Sequence, residues 1–204
     1  MPPAILSVGP QCSKIPEVHL PFETTATRLW KRLTREERLA AAALFFEQPA
    51  EEALGSAFAA IIKARRLRPQ VARSLPDQEK ARVLATVLDP GESLAAALLV
   101  ALHLGARRGL LAAFLDALGL PHEDGILKEE ADAAPPLDEP AARKAVAALA
   151  AAFPREQVLA YLNALWLQDP ARWSVLDKSP EWLGSSAGHE TPASLGDGRR
   201  AAES

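Results

Sequence analysis

With 204 residues, 49% hydrophobic and 24% charged side chains, the chain is long enough for one ordinary globular core and too apolar to stay disordered throughout. A formal charge of −3, from 23 basic and 26 acidic residues, provides no overall field to attract nucleic acid or an anionic membrane, so neither is expected as a partner. The single cysteine, Cys12, excludes an intrachain disulfide and a cysteine-rich metal site and points to a reducing compartment.

Alanine and leucine dominate, while β-branched residues are sparse and aromatics amount to 5%, a bias that favours helix because unbranched side chains lose little rotamer freedom there. Residues 1–23, with Pro2, Pro3, Pro10, Pro16 and Pro21 and no helical period, read as an extended arm pinned by Val18, Leu20 and Phe22. A short helix carrying Leu29, Trp30 and Leu33 follows. Thr34 and Glu37 then form a capping box, which predicts a helix to about Glu47. Pro49 starts the next helix, whose Leu54, Ala57, Phe58, Ile61 and Ile62 make a buried stripe. Arg68-Pro69 ends that segment. Ser74-Leu75-Pro76-Asp77 opens a helix with Ala81, Leu84, Val87 and Leu88 inward, and Asp89 is expected to cap the one after it.

Leu94–Leu104 is apolar nearly all round, which predicts a central helix enclosed by neighbours and broken at Gly105. Its partner carries Leu110, Leu111, Phe114, Leu115 and Leu118, with Gly119 as terminator. A loop is expected over 119–137. Beyond it, one helix begins at Asp138-Glu139-Pro140 with Val146, Leu149 and Phe153 inward, and another follows Pro154 with Val158, Tyr161, Leu162, Leu165 and Trp166. A turn at Asp169-Pro170 holds Trp173 and Leu176, and the tail 184–204, rich in glycine, serine and charge, is expected to be disordered.

The expected fold is therefore all-α, a compact bundle of antiparallel helix pairs forming a single domain over 24–183. Phe114–Leu120 resembles Tyr161–Leu167 at an offset of 47 positions. At the same offset Arg108 falls on Arg155 and Ala101-Leu102 on Ala148-Leu149. Such a period suggests a short HEAT-like α-solenoid as the alternative, although the N-terminal half shows no third copy.

Chemistry-bearing residues are few. Gly184-Ser185-Ser186-Ala187-Gly188 with His189 spells a nucleophile elbow, but that motif needs a strand-to-helix turn above a sheet, and no sheet is expected. His122, Glu123 and Asp124, on an acidic loop with Glu129, Glu130 and Asp132, offer an imidazole and carboxylates for cation binding or proton transfer. The competing reading has His122 closing a helix end against free carbonyls. His103 reads first as a hydrogen-bonded core residue, and a loop folded back over its helix would bring it to His122. Lys63, Arg65, Arg66, Arg68 and Arg73 form a basic cluster at a helix C-terminus, where cations offset the helix dipole and phosphates would also be attracted. Trp173 and Trp182, where helix gives way to loop, could anchor a partner or clamp the C-terminal segment onto the body.

No cofactor or metal is expected. The leading functional expectation is a non-catalytic module binding another protein or a second copy of itself, with Trp173, Trp182, Arg65, Arg66 and Arg68 as contact candidates. The alternative is a small helical enzyme or metal-binding protein using His103, His122, Glu123 and Asp124, and the third reading is nucleic-acid binding through the 63–73 cluster. The N-terminus lacks a basic flank and a long apolar stretch, and the apolar run Leu94–Leu102 is far below the roughly 20 residues of a bilayer span, so a cytoplasmic location is expected.

Overall fold

In the computed structural model, which describes residues 23–128 and 137–184, helix α2 (Arg35–Glu47) begins where its capping box places it. The Thr34 hydroxyl accepts from the Glu37 N–H at 3.1 Å and the Glu37 carboxylate from the Thr34 N–H at 2.8 Å, which satisfies two orphan donors reciprocally. Before it lies α1 (Ala26–Arg32). After it come α3 (Glu51–Arg65), α4 (Pro69–Ser74), α5 (Asp77–Leu84), α6 (Glu92–Ala106) and α7 (Arg108–Leu118). A hairpin of β1 (His122–Glu123) and β2 (Ile126–Leu127) precedes α8 (Glu139–Ala152), α9 (Arg155–Gln168), a 3-10 turn (Ser174–Lys178) and α10 (Ser179–Gly184). The fold is an all-α helical bundle. The N-terminal arm up to residue 22, residues 129–136 and the tail beyond 184 lie outside the described residues.

Two cores hold it together. The first gathers α1–α6 around Trp30, Phe45, Ile61, Leu84, Leu94 and Leu98; the second gathers α7–α10 around Phe114, Leu149, Leu162 and Leu176. Trp30 is fully buried, and its indole N–H donates to the Val87 carbonyl at 2.8 Å, so the largest side chain of the first core has its one polar group satisfied. Ala160 on α9 belongs to the first core, and the Asn163 amide, on the same helix, brackets the Glu23 backbone at 2.9 and 3.1 Å.

Helix boundaries follow the 47-residue offset: α6 starts at Glu92 and α8 at Glu139, α7 at Arg108 and α9 at Arg155. Burial follows it too, in Ala95 and Ala142, Leu99 and Val146, Leu102 and Leu149, Leu115 and Leu162. Phe114 and its equivalent Tyr161 meet edge to face at 5.6 Å. The pattern covers these two pairs, and α1, α4 and α5, at seven, six and eight residues, are shorter than any of their four helices.

Several local expectations are corrected. Pro69 does not merely end α3 but occupies the first turn of α4, where its missing N–H costs nothing, and Leu88 is 52% exposed. Asp89 caps no helix and pairs instead with Lys31 at 3.6 Å. The nearby carboxylate that does cap is Glu92, which reaches the first N–H groups of α1, at Ala26 (2.5 Å) and Thr27 (3.2 Å). Gly105 lies inside α6, where an added Cβ would stand 2.6 Å from the Leu44 side chain, so it allows close approach to α2; the break falls at Arg107, and α6 and α7 meet at 83°. Phe58 and Leu165 are half-buried at the edges of their cores.

The expected loop over 119–137 contains the hairpin. His122 opposes Leu127 and Glu123 opposes Ile126, across an Asp124-Gly125 turn with φ of 50° and 83°, the backbone that a type I′ turn demands. Gly125 sits against α7, where a Cβ would fall 2.7 Å from that of Leu111 and 3.2 Å from the Ala112 nitrogen. Gly125→Ala therefore combines left-handed strain with a backbone clash. It is expected to cost about 1–3 kcal/mol, read as a fall in the urea midpoint with unchanged slope.

Candidate functional site

His103 projects from the last turn of α6 into the junction of the two cores, 5% exposed, with its ring 5.6 Å from that of Tyr161. It is a core histidine but not a hydrogen-bonded one: no group of the described residues pairs with Nδ1 or Nε2. Burial, reinforced by the neighbouring Arg107 cation, pushes its pKa down to about 3, and it is neutral. Burial likewise raises the Tyr161 phenol above its ordinary range. Arg107, one turn from His103, is 7% exposed and donates through Nη2 to Glu37 Oε1, while Nη1 has no partner among the described residues. Desolvation lowers the Arg107 pKa, and the Glu37 charge and hydrogen bond act against that.

The hairpin residues have other partners. His122 Nε2 lies 3.0 Å from Asp116 Oδ1, and its Nδ1 accepts from the Gly125 N–H at 3.2 Å. It does not close α7 against free carbonyls, because the Gly119 and Leu120 N–H groups already occupy those of Asp116 and Leu115. Asp124 pairs with Arg108 at 2.5 Å, and Glu123 is exposed. His103 and His122 thus serve different neighbourhoods. Among the described residues no three His, Cys, Asp or Glu side chains come together as a cation would require. The nucleophile-elbow string and His189 lie, apart from Gly184, outside the described residues.

Lys63, Arg65, Arg66, Arg68 and Arg73 are all exposed around the α3–α4 junction, with Arg65 3.6 Å from Glu79. Arg66 itself takes the left-handed conformation, at φ 53°. Trp173 is 4% exposed in the second core, 6.0 Å from Phe114, and has no surface to offer a partner. Trp182 is half-buried against the same core, with the Arg143 guanidinium 5.3 Å from its ring.

The feature that the sequence did not reveal is an open face on α6. Instead of being enclosed, this helix leaves Val100 51% exposed at its midpoint, with Ala96 and Ser93 exposed one and two turns before it. These residues floor a groove of about 790 Å³, walled on one side by Leu44 and Phe45 of α2 with Ala50 and Ala53 at the start of α3, and on the other by Ile126 of the hairpin, itself 49% exposed. Small side chains four residues apart, Ser93, Ala97, Ala101 and Gly105, keep the floor low. At one rim stand Glu47 and Glu52, which form no ion pair among the described residues; at the other, the charge of Arg108 is countered by Asp124. The groove therefore offers apolar area with a polar border.

No protein-family model matches the chain, and no curated protein or solved structure does so either. Among the described residues no single helix is long and apolar enough to cross a membrane.

Proposed function

We propose that this protein is a non-catalytic helical module that binds another protein through the groove along α6. The observation that carries this reading is the half-exposure of two large apolar side chains, Val100 and Ile126, that line one groove, an area that a helix of a partner would cover. A cytoplasmic location goes with it, in keeping with the single cysteine.

The test uses the full chain in its native cell with a photocrosslinking residue at position 100, alongside Ala96→Gln/Val100→Gln. Both substituted positions are exposed and glutamine is a good helix former, so the thermal midpoint is expected to move by no more than about 2 °C. The crosslinker is expected to trap a discrete polypeptide, and the double variant to lose the proteins that co-purify with wild type. Retention of the same proteins by the variant would place the binding surface elsewhere.

A further inference from the structure

We infer that the occupant of the α6 groove is an amphipathic helix of a partner protein, with a large apolar anchor seated at Val100 and Lys or Arg along the flank facing Glu47 and Glu52; this rests on the groove reading above.

The second helix pair shows what such a face accepts. At the 47-residue offset, Ala96 corresponds to Arg143 and Val100 to Ala147, and in the second pair that face is partly covered by the chain itself. There α10 runs beside α8, and Trp182, with the Arg143 guanidinium over its ring, borders with Leu183 a small pocket floored by Ala147. A short helix carrying a bulky apolar side chain thus lies beside the corresponding face, with Ala147 itself exposed. Around α6 no described segment does so, and the walls stand apart.

The dimensions agree. From Ser93 to Gly105 the floor runs about 18 Å, the length of about 12 helical residues. Its small side chains leave room for leucine- or tryptophan-sized knobs from an approaching helix, as ridges pack into grooves elsewhere.

Charge fixes the chemistry of the partner. Glu47 is the last residue of α2, at the negative end of the helix dipole, where stability alone would favour a cation; Glu52 is in the first turn of α3. Two carboxylates without ion-pair partners among the described residues flank the apolar floor, and the one cation of the lining, Arg108, is already countered by Asp124. A basic flank gains attraction there, and an acidic one meets repulsion.

The test titrates the full chain with two designed helical peptides of about 18 residues, each carrying one Leu/Trp stripe, one with lysine and one with glutamate on its flanks. The lysine peptide is expected to bind about tenfold tighter than the glutamate peptide, Glu47→Lys/Glu52→Lys to reverse that preference, and Ala96→Gln/Val100→Gln to weaken both. All four substituted positions are exposed, so the folds survive, which thermal melts check. Equal binding of both peptides, still lost in the double glutamine variant, would overturn the basic partner and leave the groove reading standing. Binding untouched by the glutamine variant, or no binding of either peptide, would overturn both. A concentration-dependent dimer in sedimentation, abolished by the glutamine variant, would assign the groove to a second copy of this chain and overturn the inference.

Discussion

Glu37→Ala is expected to destabilise the protein by about 3–5 kcal/mol. Its carboxylate does two jobs. One oxygen closes the capping box of α2, and the other is, among the described residues, the only acceptor for the guanidinium of Arg107, a side chain 6% exposed at the bend between α6 and α7. Without it a cation remains in the junction of the two cores with nothing to pair it, and the desolvation it already suffers is uncompensated. The reverse change is milder. Arg107→Met removes the buried charge along with an Nη1 that has no partner among the described residues, and Glu37, at 27% exposure, keeps both the Thr34 N–H and contact with solvent. It is expected to cost less than about 2 kcal/mol, and the double variant less than Glu37→Ala alone. Glu37→Gln retains the capping box and isolates the charge. Urea midpoints of the four variants check the order; equal and additive costs for the two single changes would mean that the pair does not hold the bend.

How much of this was legible depends on the kind of signal. The capping box at Thr34 and the terminator at Gly119 rest on local chemistry, and the structure keeps both; of the α3 stripe it buries Ala57 and Ile61 and leaves Leu54, Phe58 and Ile62 half-buried. Helix α4 is hard to read from sequence because proline marks ends and beginnings alike, and Pro69 does both. The hairpin carried its signal in Asp124-Gly125, but strands of two residues have no alternation to read. Asp89 and Glu92 stand close together at the start of α6, and sequence does not show that the second reaches another helix altogether. A uniformly apolar helix such as α6 is the hardest case: periodicity cannot separate a covered face from an open one when every face is apolar, so the groove became visible only with its walls in place. The burial of His103 was legible from its neighbours, whereas its lack of partners depends on Tyr161 and Arg107 arriving from different directions.

His103 turns that junction into an acid-sensitive joint. Its folded pKa of about 3 stands below the unfolded value near 6.5, so above pH 6.5 the imidazole is neutral in both states and stability is full. As pH falls below 6.5 the unfolded chain takes up a proton that the native site refuses, and stability drops by about 1.4 kcal/mol per unit until about pH 3, where the native imidazole is protonated as well. Between pH 6.5 and pH 5 the loss amounts to about 2 kcal/mol, a large share of the 5–15 kcal/mol that holds a domain together. Glu139, whose pKa is lowered chiefly by its hydrogen bond to Lys178, contributes in a lower window: its stabilisation is present above the ordinary carboxylate pKa and lost only as pH falls through its depressed one. His103→Leu, similar in volume and without a donor or acceptor to strand, is expected to be more stable at pH 7 by about 1–3 kcal/mol, with its advantage growing by about 2 kcal/mol at pH 5. Paired denaturation curves at the two pH values measure both quantities. A leucine variant that is weaker at pH 7, with an advantage that does not change on acidification, would show that the imidazole gains its place from a bonding partner and that the junction does not sense acid through it.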